Sequence, residues 1–162
     1  MGVLKTLLAA AVLTAAPAAA GAHVVADPGQ ASAGAYQPVR FRVGHGCGSA
    51  ATTVLRVEIP PEMVSARPQP KPGWALQIEH NETSKVVAVT WRGALPDEQF
   101  DEFAIMFKLP DAAGTLYFPT VQSCGDEQNQ WTEIPSPGER ASHPAPSLTI
   151  TPKAAQAESH QH

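Results

Sequence analysis

The sequence predicts an all-β fold, either a sandwich or a barrel, and three observations support this prediction. The chain of 162 residues contains 16 prolines, and proline disfavours long helices because it lacks an amide hydrogen and clashes with the preceding turn. Several short segments alternate apolar and polar residues, which is the pattern of a strand with one buried face. Clusters of glycine, proline, aspartate and asparagine separate these segments, as in proteins built from many short strands.

The clearest strand pattern lies at residues 39–43, where Val39, Phe41 and Val43 alternate with arginines. The predicted strands are residues 39–43, 54–59, 85–91, 103–109, 116–118 with Val121, 130–134 and 147–151. The proline-rich stretches 67–73 and 134–146 are expected to be surface connections.

Residues 1–22 have the layout of a secretory signal peptide. Lys5 precedes an apolar run at residues 7–13, and the small residues 18–22 form a cleavage site of the A-x-A type. The run is too short to cross a bilayer, which takes roughly 20 residues. Cleavage after Ala22 predicts an exported protein, periplasmic or secreted, that begins at His23 and does not span the membrane.

The rest of the chain has room for a single domain, which we predict at residues 23–152. Residues 153–162 have no aromatic or β-branched residue and are predicted to be a disordered tail. His160 and His162, with His143 upstream, could give this tail weak metal binding. The formal net charge of −4 argues against a nucleic-acid partner, because such binding depends on cations that neutralise phosphates.

The two cysteines, Cys47 and Cys124, both lie in the predicted mature chain. In an oxidising compartment a structural disulfide is the favoured interpretation. The alternative is a Cu(I) site, since soft thiolate ligands suit that ion.

His23 is the most informative residue because cleavage would make it the N-terminus. Its free α-amine and its imidazole Nδ1 can close a six-membered chelate ring on one metal ion, and this pair of nitrogens suits Cu(II). The reference pKa of an α-amine is only about 8, so its deprotonation is not prohibitive.

Several segments together resemble the YcnI-like family of exported copper-binding domains, also called DUF1775. They are the histidine start at residues 23–28, then residues 33–36, 41–43, 69–74 (Gln-Pro-Lys-Pro-Gly-Trp), 89–91 and 130–133. The resemblance implies an immunoglobulin-like β-sandwich that binds Cu(II) through a mono-histidine brace. It further implies that His23 is the brace residue, that a strand carboxylate completes the site, and that Trp131 lies near the metal.

The sequence departs from the family at the carboxylate. Alignment on Pro60 puts Arg56, which cannot bind copper, at the expected glutamate position. Glu58 lies two residues further on the same strand face, about 6 to 7 Å away. His45, in a Gly-His-Gly-Cys segment, is the other candidate for the third ligand. Ordinary structural roles stay open for both residues, and core packing is the expected role of Trp74 and Trp91.

We therefore predict an exported Cu(II)-binding protein in copper trafficking, storage or homeostasis, without enzymatic activity. Its expected partners are the copper ion and another copper-trafficking or membrane copper-transport protein. Two alternatives stay open. A copper-dependent oxidative enzyme would need a second histidine, for which His45 and His80 are the candidates. A non-metal adhesion or carbohydrate module is also compatible with a β-sandwich.

Overall fold

The structure, a computed structural model, describes residues 23–136 and 138–153, and every regular element in these residues is a β-strand. The strands are β1 (Val25–Asp27), β2 (Gln30–Ser32), β3 (Tyr36–Val43), β4 (Thr52–Glu58), β5 (Ser65–Pro68), β6 (Ala75–His80), β7 (Val86–Leu95), β8 (Asp101–Lys108), β9 (Gly114–Tyr117), β10 (Thr120–Cys124), β11 (Glu127–Trp131) and β12 (Ser147–Thr151). The predicted signal peptide and nearly all of the predicted tail lie outside the described residues. This part of the chain contains no helix long and apolar enough to span a membrane.

The strands form three sheets. A four-stranded sheet has the order β1-β3-β8-β5, and a five-stranded sheet has the order β11-β10-β4-β7-β6. A smaller sheet has the order β2-β12-β9, in which β12 pairs parallel with β2 and antiparallel with β9. β1 and β11 are therefore edge strands of the two larger sheets. The candidate site residue His23 lies two residues before β1, and Trp131 is the last residue of β11.

The core lies between the two larger sheets, as alternating strands require. Phe41 and Phe103 of the four-stranded sheet face Leu55 and Trp91 of the five-stranded sheet, and all four side chains are buried. The rings of Trp91 and Phe103 pack across the interface with centroids 5.4 Å apart. Burying aromatic and branched aliphatic side chains in this layer supplies the main driving force for folding.

Most of the predicted strands are confirmed, with shifts of a few residues at their ends. The predicted segment 116–118 with Val121 is instead divided between two strands, β9 and β10, which belong to different sheets. Four strands were not predicted from the sequence, namely β1, β2, β5 and β6. β1 and β2 have three residues each, too few for an alternating pattern to be recognised. β5 overlaps the stretch 67–73, which was predicted to be a connection. It is an edge strand, and its proline is Pro68, the last residue of the strand, a position that tolerates proline.

The Pro-Lys-Pro-Gly-Trp segment is a turn that connects β5 of the four-stranded sheet to β6 of the five-stranded sheet. Gly73 has φ +78°, a left-handed conformation that favours glycine. Trp74 packs edge-on against Phe103 with centroids 4.8 Å apart, and its ring fills the space that a side chain at residue 93 would occupy. Trp74 and the buried Trp91 thus have the packing roles expected of them.

A disulfide joins Cys47, in the loop after β3, to Cys124 at the end of β10. The favoured interpretation of the cysteines is therefore confirmed, and the described residues contain no free thiol. The bridge connects positions 77 residues apart, so it constrains a large part of the unfolded chain.

Removing the disulfide is expected to lower the free energy of unfolding. For a loop of 77 residues the chain-entropy model gives about 4 to 5 kcal/mol. Denaturant unfolding of a Cys47→Ala/Cys124→Ala double variant measures the loss, and alkylation of the unreduced wild type should add no mass. Two thiols that alkylate in the native protein would contradict the bridge.

Candidate metal centre

His23 lies two residues before the start of β1, and its side chain is exposed except where it contacts Trp131. The two ring centroids are 5.3 Å apart and the ring planes are inclined by 51°. β1 pairs with β3 so that Val25 lies opposite Arg42. Because the pair is antiparallel, the residues before β1 and the loop that contains His45 lie beyond the same end of the two strands.

Trp131 ends β11 with its side chain directed into the sandwich. It pairs with Thr120, which pairs in turn with Val57, and directly paired residues project from the same face of a sheet. Thr120 and Val57 are fully buried, and Trp131 is 4% exposed. The indole Nε1–H donates a hydrogen bond to Oε1 of Gln122 at 3.2 Å. One edge of the indole is therefore held inside the protein while the ring also contacts His23.

His45 lies in the loop that carries Cys47, and it is partly buried. Its Nδ1 lies 2.8 Å from the carbonyl oxygen of Gly46. A carbonyl oxygen can only accept, so Nδ1 is the donor, and in the neutral imidazole the lone pair lies on Nε2. Metal-binding histidines are commonly oriented in this way, with one ring nitrogen bonded to a backbone carbonyl and the other directed at the metal.

Glu58 projects from the opposite face of the five-stranded sheet. Its neighbour Val57 faces the core together with Trp131, and alternation along β4 directs Arg56 and Glu58 outward. Nη1 of Arg56 donates to Oε1 of Glu58, and Nη2 donates to Oε2 of Glu79, each at 3.0 Å. The structure thus brings His23 and Trp131 together, has His45 near the same end of β3, and does not bring Glu58 to them.

His143 lies against the same indole, whereas the sequence suggested it only as a possible weak metal donor together with the tail histidines. Its ring centroid is 5.4 Å from that of Trp131, and Nδ1 lies 3.7 Å from Oε1 of Glu133. His143 lies in the proline-rich stretch 134–146. Such a stretch predicts a surface connection and does not indicate a contact with Trp131. The isolated bridge between Glu133 and Pro144, together with hydrogen bonds between Glu133 and this loop, brings the histidine back beside the end of β11.

The donor atoms present fit a small metal chelate better than a closed cage. In residues 23–136 and 138–153 no three histidine, cysteine, aspartate or glutamate side chains converge closely enough to hold a metal ion. If His23 were the N-terminal residue, it would offer two nitrogens from one residue. It borders an open groove of about 480 Å³ between residues 23–26 and residues 144–147, so an ion can reach it without any rearrangement of the core.

Glu133 fixes the loop that carries His143. Its carboxylate Oε2 accepts hydrogen bonds from the amides of Ser142 at 2.8 Å and His143 at 3.1 Å. The His143 amide, helped by the Ser142 amide and by the charge of the His143 ring, lowers the pKa of Glu133 below its ordinary value of 4.5. A lowered pKa means that the ionised carboxylate stabilises the folded loop above that value, and that this stabilisation is lost as the pH falls through the lowered pKa.

Replacing this carboxylate is expected to loosen the loop at neutral pH. In Glu133→Ala the hydrogen-exchange protection of the Ser142 and His143 amides should fall by about tenfold. The wild type should lose the same protection only in acid, below pH 4.5. Glu139→Ala, which removes another acid of the same loop, is the matched control and should change nothing. Unchanged protection in Glu133→Ala would contradict the assignment.

The chain is similar to known proteins in sequence and in fold. The family described as a domain of unknown function, DUF1775, matches residues 23–150. The "Copper-binding protein CutI" of Bacillus subtilis (strain 168) is 28% identical over 119 residues, which cover 71% of this chain and 57% of that protein. The chain therefore spans little more than half the length of this relative.

A solved structure resembles the chain more completely. It is the crystal structure of an uncharacterized protein from Nocardia farcinica with an immunoglobulin-like fold, 38% identical, with a TM-score of 0.67. The match covers 79% of this chain and 97% of that one. The predicted immunoglobulin-like β-sandwich is thus confirmed. With a family match that begins at His23 and extends into β12, the chain belongs to the DUF1775 family.

Proposed function

We propose that this chain is an exported Cu(II)-binding protein that acts in copper trafficking, storage or homeostasis, in the periplasm or outside the cell. The observation that carries the proposal is the position of His23, which starts the family domain and packs on Trp131. The copper-binding name of the Bacillus subtilis relative supports the same metal.

In the proposed site, His23 is exposed as the N-terminus by cleavage after Ala22 and binds copper through its α-amine and Nδ1. The amine must lose a proton first, and its reference pKa of about 8 makes this inexpensive near neutral pH. Trp131 covers one side of the imidazole and limits the ring orientations that compete with chelation. Because β1 ties the backbone of residues 25–27 to β3, the chelate is attached to a rigid sheet edge.

We propose His45 as a third donor. Nδ1 is committed to the Gly46 carbonyl, which leaves Nε2 for the metal. The His45 loop leaves β3 at the same end of the strand pair at which His23 precedes β1. Glu58 is the less favoured alternative, since its carboxylate is paired with Arg56. The donor set has few residues and opens onto a wide groove, which suits reversible binding and transfer to a copper-trafficking or transport protein. We propose no catalytic activity for it.

The first test concerns the free N-terminus. A Met-extended form, or His23→Ala, is expected to bind Cu(II) about 100-fold more weakly than protein that begins at His23, a loss of about 2.8 kcal/mol. Competition titration against a chelator measures the affinity, with His160 and His162 replaced by alanine in every sample so that the tail cannot contribute. His80→Ala, at the far edge of the five-stranded sheet, is the control. An extended form that binds as tightly as the processed form would refute the chelate.

The second test separates His45 from Glu58. His45→Ala should weaken Cu(II) binding by about tenfold or more, worth about 1.4 kcal/mol, because it removes a ligand. Glu58→Gln should leave the affinity unchanged, because its carboxylate faces the other side of the sheet. The opposite result, with a loss only in Glu58→Gln, would move the third ligand to β4.

A further inference from the structure

Gln122 is a fully buried polar residue at the middle of β10, with no exposed surface at all. Its side-chain amide uses both ends. Nε2 donates to the carbonyl oxygen of His45 at 2.9 Å and to Oγ1 of Thr52 at 2.7 Å, and Oε1 accepts the Trp131 Nε1–H at 3.2 Å. One amide group therefore connects the loop after β3, the start of β4 and the end of β11.

The bond to Trp131 determines how the indole is presented. An indole has a single donor on its edge, and a buried donor left without an acceptor is costly. With Cβ fixed by β11 and Nε1 fixed by Gln122, the orientation of the ring plane is determined. Gln122 therefore determines which face of the indole is presented to His23, although it does not contact the histidine. The two ring centroids are 5.3 Å apart.

The bonds to His45 and Thr52 act on the other side of the same amide. The His45 carbonyl is held by Nε2, while the loop is anchored separately by the disulfide and by the Cys47 amide, which donates to Sγ of Cys124 at 3.0 Å. The disulfide therefore determines where the loop attaches, and Gln122 determines how the backbone of residue 45 is oriented within it.

We propose that Gln122 is a positioning residue for the metal centre: it holds the Trp131 face on which His23 packs and the His45 backbone in one fixed relation. The metal role rests on the proposed function, whereas the positioning of His23 does not require a metal. A residue that only filled the core could be apolar, because burying an amide costs free energy that an apolar side chain of the same shape does not incur. Every hydrogen-bonding atom of this amide is instead directed at a group beside the two histidines or at Thr52.

The test is Gln122→Met, which keeps an unbranched side chain of similar length and removes both hydrogen-bonding ends. The matched control is Thr52→Val, which removes a buried hydrogen-bond partner of Gln122. In the wild type the Thr52 hydroxyl contacts Gln122 and Cys124, and it forms no hydrogen bond with Trp131 or His45. Both variants should melt at a lower temperature than the wild type, so a loss of stability by itself does not distinguish them.

The first readout is made without metal. The Trp131 ring current displaces the NMR shifts of the His23 imidazole protons, and this displacement should shrink by half or more in Gln122→Met and persist in Thr52→Val. The second readout is the Cu(II) electron paramagnetic resonance spectrum, which should change in Gln122→Met only. If Gln122→Met does not fold, Trp131→Phe removes the indole donor to Gln122 together with part of the ring that His23 contacts. It should change the copper spectrum, and an unchanged spectrum would overturn the proposal.

The proposal would be overturned if a folded Gln122→Met variant kept both the wild-type NMR chemical shifts of His23 and the wild-type copper spectrum. Gln122 would then be a purely structural residue. A wild type that binds no copper would instead overturn the proposed function. The metal-free shifts would still test the positioning of His23, so the two failures are distinguishable.

Discussion

The disulfide between Cys47 and Cys124 is the constraint on which the arrangement of the site depends. It joins the loop after β3 to the end of β10, and two residues earlier in each segment Gln122 donates to the His45 carbonyl. Because β10 alternates, Gln122 and Cys124 both face inward. The covalent bond brings the two segments together, and the hydrogen bond orients them.

Buried polar groups at this end of the sandwich are tolerated because each has a partner. Thr52, Thr120 and Gln122 are fully buried, and in the described residues no buried side-chain nitrogen or oxygen lacks a hydrogen-bond partner. Fully satisfied polar networks favour one arrangement over others, since any shift would leave a buried group unpaired. Such a network can hold an exposed histidine beside Trp131 while leaving its nitrogens free.

Much of this fold could be predicted from the sequence, since alternation identifies strands with one buried face. β1 and β6 were not predicted, because the first is very short and the second is a half-exposed edge strand. In β10 hydropathy alone is misleading: Val121 is only partly buried, whereas Gln122 is fully buried. Side-chain hydrogen bonds reverse the expected preference there, and sequence patterns do not reveal them.

The residues of the candidate site likewise fall into those that could be predicted from the sequence and those that could not. His23 is identified by its position at a predicted cleavage site and Trp131 by family resemblance, because both signals are local in sequence. His143 and Gln122 reach the site only through long-range pairing, by a bridge from Glu133 to Pro144 and by the pairing of β10 with β4 and β11. No periodicity or short motif encodes those contacts, so only the folded structure reveals them.

The central claim is that a processed His23 supplies both nitrogens of a copper chelate. The most direct measurement is pulsed electron paramagnetic resonance on substoichiometric Cu(II) in protein that begins at His23 and is labelled with ¹⁵N only in histidine. The account predicts strong coupling to directly bound ¹⁵N from an amine and from an imidazole. A spectrum in which no directly bound nitrogen carries the label, or in which only imidazole nitrogen does, would contradict it.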